Sequence, residues 1–251
     1  MARRVEDLRA MLGILAGPDG QDYTVKGSPG AGEISAGKIR IAFFANNGVV
    51  PPDSDTAAVL RNAVNALQAA GFAAEEARPA CIEQSYELEM KILGADGGDG
   101  LQQFLGSIGS HRTHPLLEGW LRKLEPYRTT LQGFANYWAE LDRFRSEMLA
   151  FLNRYGAILS PVAARPAVPH GMSIRDDIFP GFSYTMTHNL TGWPAAVVRC
   201  GTSSDGLPIG LQIAAAPWRE DVALGLAEEL ERSLGGWLAP PPPQTVSVAR
   251  T

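Results

Sequence analysis

The sequence has few of the residues on which disulfide frameworks and metal sites depend. Its 251 residues include two cysteines and four histidines, and Cys81 and Cys200 lie far apart, outside any Cys-x-x-Cys motif. This pattern is typical of reduced thiols in a cytoplasm rather than of a disulfide framework. His111 and His114 have a spacing that metal ligands use, but Pro115 follows directly and no third ligand is near. We therefore expect surface loop histidines, and neither a metal site nor a cofactor site is predicted.

The sequence also lacks excess positive charge and any long apolar run. The formal net charge is −5 and the isoelectric point is near 5.4, without a cluster of Lys or Arg interleaved with aromatic residues. A nucleic-acid partner is therefore not expected. Near the amino terminus, Glu6 and Asp7 interrupt the apolar residues and Gly17 and Pro18 end them, too early for a signal peptide or a membrane span. We expect a cytoplasmic protein without a membrane partner.

The strongest local pattern is an apolar hairpin near the carboxyl end. Residues 195–200 and 207–213 are short apolar runs on either side of Asp205-Gly206, which is a strong two-residue turn signal. The pattern predicts two antiparallel strands. Both runs are apolar at nearly every position, so we expect a sheet that is covered on both faces, as in a layered α/β protein. The pair Ser203-Ser204 is interpreted as part of the turn, where small polar residues are expected.

Strand and helix patterns alternate along the rest of the chain. The spacing predicts helices over residues 1–16, 54–70, 113–124, 129–154 and 220–234, and strands over residues 38–44, 72–77 and 157–160. Asp53 or Ser54 can cap the second helix and Gly71 can end it, which makes a βαβ unit with a parallel strand pair. Residues 17–37 and 94–100 are expected as loops. One domain over residues 1–238 and a proline-rich tail over residues 239–251 are predicted.

Two features favour a pocket, and no local pattern supplies catalytic groups. The strand over residues 157–160 runs into a loop rich in proline, and such loops at strand ends often form pocket walls. His188 could line that pocket or be a satisfied buried histidine. There is no Gly-x-Ser-x-Gly motif, and no nucleophile, base and orienting residue can be recognised from their spacing. From the residues alone we predict an α/β scaffold with a pocket.

Several motifs of the chain resemble the amidase signature family. They comprise residues 1–8, Ala16-Gly-Pro-Asp19, Ser160-Pro161 with Pro166, Asn189-Leu-Thr-Gly-Trp-Pro194 and Ser204-Asp-Gly-Leu-Pro-Ile-Gly-Leu-Gln-Ile213. In order and spacing they are similar to the carboxy-terminal half of such an enzyme, over essentially the whole chain. The resemblance implies a layered mixed β-sheet with helices on both faces, incomplete at the amino-terminal side. It also implies hydrolysis of carboxamides without a metal or an organic cofactor.

The family hydrolyses amides with a Ser, cis-Ser, Lys triad, in which the neutral lysine is the base. The resemblance implies that these residues lie upstream of the helix that begins here at Met1, so no catalytic residue is assigned. The four lysines match no family motif: Lys26, Lys38, Lys91 and Lys123. The resemblance carries over only candidate substrate-binding residues of a pocket wall, which are Phe182, Tyr184, Thr187, Asn189 and Trp193.

Three functional interpretations remain open at this point. In the first, the chain is the carboxy-terminal portion of an amidase for a small-molecule amide, inactive without a separately encoded amino-terminal half. In the second, it is a non-catalytic domain that binds a small molecule or a protein, with Trp193 and Phe182 as anchors. In the third, it is a truncated remnant. Transamidation on transfer RNA also occurs in the family, but the acidic charge disfavours it. Uncovered apolar edges predict association, including a possible homo-oligomer.

Overall fold

A computed structural model describes residues 1–22, 24–25 and 39–240. Its centre is a five-stranded mixed sheet of β1 (Arg40–Phe43), β2 (Ala73–Glu76), β3 (Ala157–Pro161), β4 (Ala195–Thr202) and β5 (Pro208–Ala215). The strand order is β2-β1-β3-β5-β4. β1 is parallel to β2 and β3, whereas β5 is antiparallel to β3 and β4. The predicted mixed α/β sheet is therefore confirmed.

Helices cover both faces of this sheet. They are α1 (Val5–Leu15), α2 (Ser54–Ala69), α3 (Ser85–Gly94), α4 (Asp99–Ser107), α5 (Pro115–Leu124), α6 (Leu131–Leu152), α7 (Ser183–Thr191) and α8 (Glu220–Leu234). Neighbouring residues of one strand point to opposite faces. Ile41 of β1 packs in a core cluster with α2 and α8, and Ala42 packs in a second cluster with α6 and α7. None of the helices that the structure describes is long and apolar enough to cross a membrane.

The predicted hairpin and the predicted βαβ unit are both present. β4 and β5 are antiparallel with Val198 opposite Leu211, and β1, α2 and β2 form the parallel unit. The Asp53 carboxylate accepts a hydrogen bond from the Thr56 N–H at 2.8 Å and so caps α2. Gly71 follows the helix with φ of +89°, a conformation that glycine adopts without strain.

The serine pair has the turn role that was predicted for it. The Ser203 hydroxyl accepts a hydrogen bond from the Leu207 N–H at 3.0 Å. The N–H and the hydroxyl of Ser204 both donate to the Asp55 carboxylate, at 2.8 and 2.7 Å. These bonds close the hairpin turn and tie it to the first turn of α2.

The sheet is covered on both faces, as predicted, but this cover does not extend over β4. Burial alternates along this strand: Ala196 and Val198 are buried, while Ala195 and Val197 are exposed. β5 is buried throughout from Leu211 to Ala215 because it lies between β3 and β4. β4 is the edge strand, and its apolar outward residues have no covering layer in the part of the chain that the structure describes.

Other differences from the sequence predictions are local. Of the loop predicted over residues 94–100, residues 95–98 form a tight turn between α3 and α4, with Gly97 and Gly98 at φ of +67° and +91°, and the other residues belong to the two helices. The predictions did not include α3, α4 or α7. The first predicted strand begins at Arg40. Most of the predicted loop over residues 17–37 and residues 241–251 of the predicted tail lie outside the described residues.

Candidate functional site

The carboxyl ends of β1 and β3 lie at the same edge of the sheet, where ligands of open α/β folds commonly bind. The loop after β1 carries Asn47, whose side chain is fully buried. Its Nδ2 donates to the Ser183 hydroxyl at 2.8 Å, and its Oδ1 accepts from the Val49 N–H at 3.0 Å. These bonds fix the loop after β1 against the start of α7.

Gln212 of β5 fixes the second loop at this edge. Its Nε2 donates to the carbonyl oxygens of Pro161 and Tyr184, both at 2.9 Å, and lies 3.1 Å from the Ser160 hydroxyl. The strand register places Gln212 opposite Ser160, so the buried amide reaches both the end of β3 and α7. A buried carbonyl that loses its hydrogen-bond donor makes folding less favourable, so this network holds the carboxyl edge of the sheet in one geometry.

The predicted pocket-wall residues fall into different environments. Tyr184 is buried, and its hydroxyl lies 2.7 Å from the Val50 carbonyl oxygen and 3.0 Å from that of Ala45. Phe182 belongs to an aromatic cluster and lies 6.5 Å from Phe179 between ring centres. Both residues therefore have clear packing roles in the structure. Substrate contact by either of them stays a prediction.

Thr187 and Asn189 lie on α7, which packs against α3. The Thr187 hydroxyl is buried and has no hydrogen-bond partner among the described residues. Asn189 is exposed, and its Nδ2 donates to the carboxylate of Glu89 of α3 at 3.3 Å. Burial raises the pKa of Glu89, which the Asn189 hydrogen bond partly opposes. The Asn189 amide therefore partly compensates a buried acid between the two helices.

His188 matches neither of its two interpretations fully. The side chain is half-buried, and its Nδ1 is enclosed without a hydrogen-bond partner in the described part of the chain. Burial lowers the pKa of His188 to about 4, so the ring is neutral near pH 7. It is thus a half-buried histidine whose enclosed Nδ1 has no hydrogen-bond partner among the described residues.

The lysines that the structure describes are engaged with carboxylates. Lys91 forms an ion pair with Glu140 at 2.9 Å, and Lys123 pairs with Asp176. The hydrogen bond to Glu140 raises the pKa of Lys91, which keeps the amine protonated. A lysine base must be neutral, so neither environment suits that role. Lys26 and Lys38 lie outside the described residues.

The two histidines with metal-ligand spacing are exposed, as predicted. His114 caps α5: its Nδ1 accepts a hydrogen bond from the Leu116 N–H at 3.1 Å. Within residues 1–22, 24–25 and 39–240, no group of three or more His, Cys, Asp or Glu is placed to hold a metal ion. Cys81 and Cys200 are free and buried.

A groove of about 1100 Å³ lies between α1, the outward face of β4 and the start of α8. Its lining is largely apolar: Leu8, Leu12, Leu15, Trp193, Val197 and Trp218 are among the residues that form it. Of the five predicted pocket-wall residues, Trp193 lines this groove. Trp218 has φ of +64°, a rare conformation for a bulky residue. Sequence reasoning missed Trp218, because no local pattern places it beside Trp193.

Sequence reasoning also missed Asn47 and Glu89. Asn47 belongs to Asn46-Asn47-Gly48, a turn signal directly after the first predicted strand, and this pattern could have indicated a loop fixed by an asparagine side chain. Glu89 lies in a helix that was not predicted, and its burial depends on packing against α7.

Comparison with known proteins places these features in a family. A family model described as Amidase matches residues 1–224. Human fatty-acid amide hydrolase 2 is 24% identical over 265 residues, covering 96% of this chain and 48% of that protein. The acylamidase of Rhodococcus erythropolis is 26% identical over 267 residues, covering 99% of this chain and 54% of that protein.

A solved structure of 6-aminohexanoate cyclic dimer hydrolase with substrate superimposes with a TM-score of 0.77 at 24% identity. It covers 93% of this chain and 54% of that chain. The chain thus spans about half the length of the relatives it matches. Because the Amidase family model covers residues 1–224, which is nearly the whole chain, the protein belongs to the amidase family.

Proposed function

We propose that this chain is the carboxy-terminal portion of an enzyme that hydrolyses small-molecule carboxamides. In this proposal catalysis depends on an amino-terminal region that carries the Ser, cis-Ser, Lys triad which the resemblance implies. The observation that carries the proposal is the family match over residues 1–224 in a chain that spans about half of its relatives.

The environments of Ser160, Ser183 and the two described lysines support this division of roles. Ser160 and Ser183 interact with the side-chain amides of Gln212 and Asn47, at 3.1 and 2.8 Å. Lys91 and Lys123 are paired with acids. A serine nucleophile and its base need to be within hydrogen-bond reach of each other, and these side chains are occupied in other ways. The chain is therefore proposed to supply scaffold and pocket wall.

The proposed substrate is a small amide rather than an amide on transfer RNA. The relatives described above are named for amides of fatty acids, acyl amides and a cyclic dimer of 6-aminohexanoate. The groove beside Trp193 is mostly apolar, which suits an uncharged organic group. The net charge of −5 disfavours binding to a polyanion. The proposal includes a cytoplasmic location and no metal or organic cofactor.

Co-expression tests the proposal. The chain is produced alone and with the polypeptide encoded immediately upstream, and ammonia release is measured from a panel of simple aliphatic and aromatic amides. We expect release only when both parts are present. Changing the upstream nucleophilic serine to alanine is the matched control and should abolish it. Ammonia release by this chain alone, retained in a Ser160→Ala and Ser183→Ala double variant, would contradict the proposal.

A second candidate function is non-catalytic binding of a small amide in the groove. The two indoles of Trp193 and Trp218 in its lining favour this alternative, since aromatic anchors supply much of the affinity in apolar sites. Calorimetric titration with the same amides distinguishes the two. Saturable binding without turnover, with or without the upstream polypeptide, would favour the binding domain. If neither binding nor turnover were observed, the interpretation as a truncated remnant would be favoured.

A further inference from the structure

We infer that two copies of this chain form a dimer in which their α6 helices pack antiparallel. The contact is made by a line of exposed or half-buried residues along one side of α6, called the α6 stripe below: Leu131, Ala135, Trp138, Asp142, Arg145 and Leu149. This stripe is separate from the groove beside Trp193, whose lining contains no residue of α6. The inference does not depend on the proposed function.

The first observation is that α6 carries apolar residues on two of its sides. The inner side is buried in the core cluster that also contains residues of β1 and β3, and it consists of Leu141, Phe144, Met148 and Leu152. On the α6 stripe, Leu131, Trp138 and Leu149 are 86%, 42% and 41% exposed. A helix that covers a sheet normally presents polar residues to water. Exposed large apolar residues along one line therefore indicate an interaction surface.

The second observation is the spacing of the α6 stripe. Its successive members are separated by four, three, four, three and four residues. This alternation keeps side chains on the line of a helix that faces a partner helix, as in a coiled coil. Residues 131–149 span about 27 Å, or about five turns, at 1.5 Å per residue. The stripe is therefore arranged for contact with another helix rather than with a small ligand.

The third observation is that the α6 stripe matches its own reverse. Its spacing is the same in both directions, so an antiparallel copy places Leu131 opposite Leu149 of the second copy. In the same register Trp138 lies opposite Asp142, and Ala135 lies opposite Arg145. Apolar ends thus meet apolar ends, and each long side chain faces a short one. A two-fold dimer requires a surface that is complementary to itself, and this stripe meets that requirement.

The fourth observation is the charge near the middle of the α6 stripe. The Arg145 Nη1 lies 3.7 Å from the Asp142 carboxylate, and its guanidinium carbon lies 5.8 Å from the ring centre of Trp138. The Arg145 Nε also donates to the Leu190 carbonyl at 2.8 Å, which holds the side chain in place. Each copy thus brings one positive and one negative charge towards the two-fold axis. This charge complementarity favours a second copy of the chain as the occupant.

Sedimentation of the whole chain over a range of concentrations tests the dimer. The parent protein for these measurements carries Val197→Lys, because the exposed edge strand β4 can also associate. Trp138→Glu and Leu149→Glu each place a charge on the α6 stripe. Phe104→Glu is the matched control, since Phe104 of α4 is 58% exposed and lies outside the stripe. We expect each stripe variant to raise the dimer dissociation constant roughly tenfold or more and the control to leave it unchanged.

Disulfide cross-linking tests the antiparallel arrangement with variants that introduce no charge. Leu131→Cys and Leu149→Cys are produced as separate chains, and the native Cys81 and Cys200 are buried. A disulfide forms only between residues whose Cα atoms are close. After mild oxidation we expect a mixture of the two variants to form linked pairs and each variant alone to remain unlinked.

Three results would overturn the inference. The first is a parent chain that stays monomeric at all concentrations, and the second is a pair of stripe variants that dimerise as tightly as the parent. The third is efficient linkage of the Leu131→Cys chain to itself, which would show that the helices are not antiparallel. The proposed function is judged separately, because its test is ammonia release in the presence of the upstream polypeptide.

Discussion

The carboxyl edge of the sheet and the face formed by β4 and α1 are built in opposite ways. At the carboxyl edge, buried amides and hydroxyls hold each other: Asn47 binds Ser183, and Gln212 binds the carbonyls of Pro161 and Tyr184. At β4 and α1, apolar side chains such as Val197 and Leu15 lie open. In the first region these polar groups are paired within the described chain, whereas the second region leaves apolar side chains in water.

This contrast assigns different tasks to the two regions. A satisfied polar network resists change, because each lost bond leaves a buried group without a partner. It can therefore hold the ends of β1 and β3 in a fixed position. An open apolar face contributes little to the stability of the chain itself, and its free energy is gained when another surface covers it. Substitutions should accordingly harm folding in the first region and assembly in the second.

The largest expected effect is that of Gln212→Leu. The change removes the donor for two buried carbonyls, and we expect it to lower the free energy of unfolding by about 2–4 kcal/mol. Urea denaturation of the whole chain measures this. Gln68→Leu is the control, because the Gln68 side chain donates to the Ala74 carbonyl in an exposed position. Equal unfolding midpoints for the two variants would show that the buried donor of Gln212 adds no more stability than the exposed donor of Gln68.

The next effect is a pH dependence that arises at His188. Burial lowers the pKa of His188 to about 4 in the folded chain, while an unfolded histidine titrates near pH 6.5. Between these values the unfolded chain binds more protons, so stability should fall as the pH is lowered from 6.5 to 4, by about 1–3 kcal/mol.

His188→Asn should remove this slope, which is measured as the difference between wild type and variant in urea midpoints across pH. The buried Glu89 has a raised pKa and contributes a slope of opposite sign, but this contribution is common to both proteins. If the slope of stability against pH were unchanged in His188→Asn, the pKa of His188 would not be lowered by burial in the folded chain.

A smaller effect is expected for Tyr184→Phe. The variant keeps the buried ring and removes the hydroxyl that lies near the carbonyls of Ala45 and Val50. We expect a loss of about 1–2 kcal/mol in the free energy of unfolding. Tyr127→Phe is the comparison, since its hydroxyl donates to Glu87 in an exposed setting. If Tyr127→Phe were the more harmful of the two, the network at the carboxyl edge would not be the stabilising region.

The smallest effect on stability is expected on the open face. Val197→Lys should change the free energy of unfolding by less than about 0.5 kcal/mol, because the side chain is largely in water. It should nevertheless reduce self-association of the isolated chain, which light scattering measures. A variant that unfolds easily, or that associates as strongly as wild type, would show that Val197 is not part of an open apolar surface.

The regular elements with a clear period could be predicted from the sequence. α8 occupies the residues predicted for it, and the hairpin of β4 and β5 was indicated by its turn. α7 was not predicted, because its buried face includes Ser183, Thr187 and Thr191 and therefore shows no apolar period in the sequence. The exposure of Val197 could not be predicted, because it depends on β4 being the edge strand.

The candidate site was less accessible to sequence reasoning than the fold. Gln212 lies in the motif over residues 204–213 but was not singled out from the sequence, because its contacts with Ser160 and Tyr184 depend on the register of β5 against β3 and on the position of α7. The groove likewise joins residues from α1, β4 and the turn before α8. Such contacts arise from tertiary packing and have no local signature.

The most direct test of the central claim is a titration of this chain with the polypeptide encoded immediately upstream, with ammonia release from a simple amide as the readout. We predict no release by either part alone, and release that rises with the added polypeptide until the two are equimolar. Release by the chain alone that does not change as the upstream polypeptide is added would contradict the claim that catalysis depends on a second region.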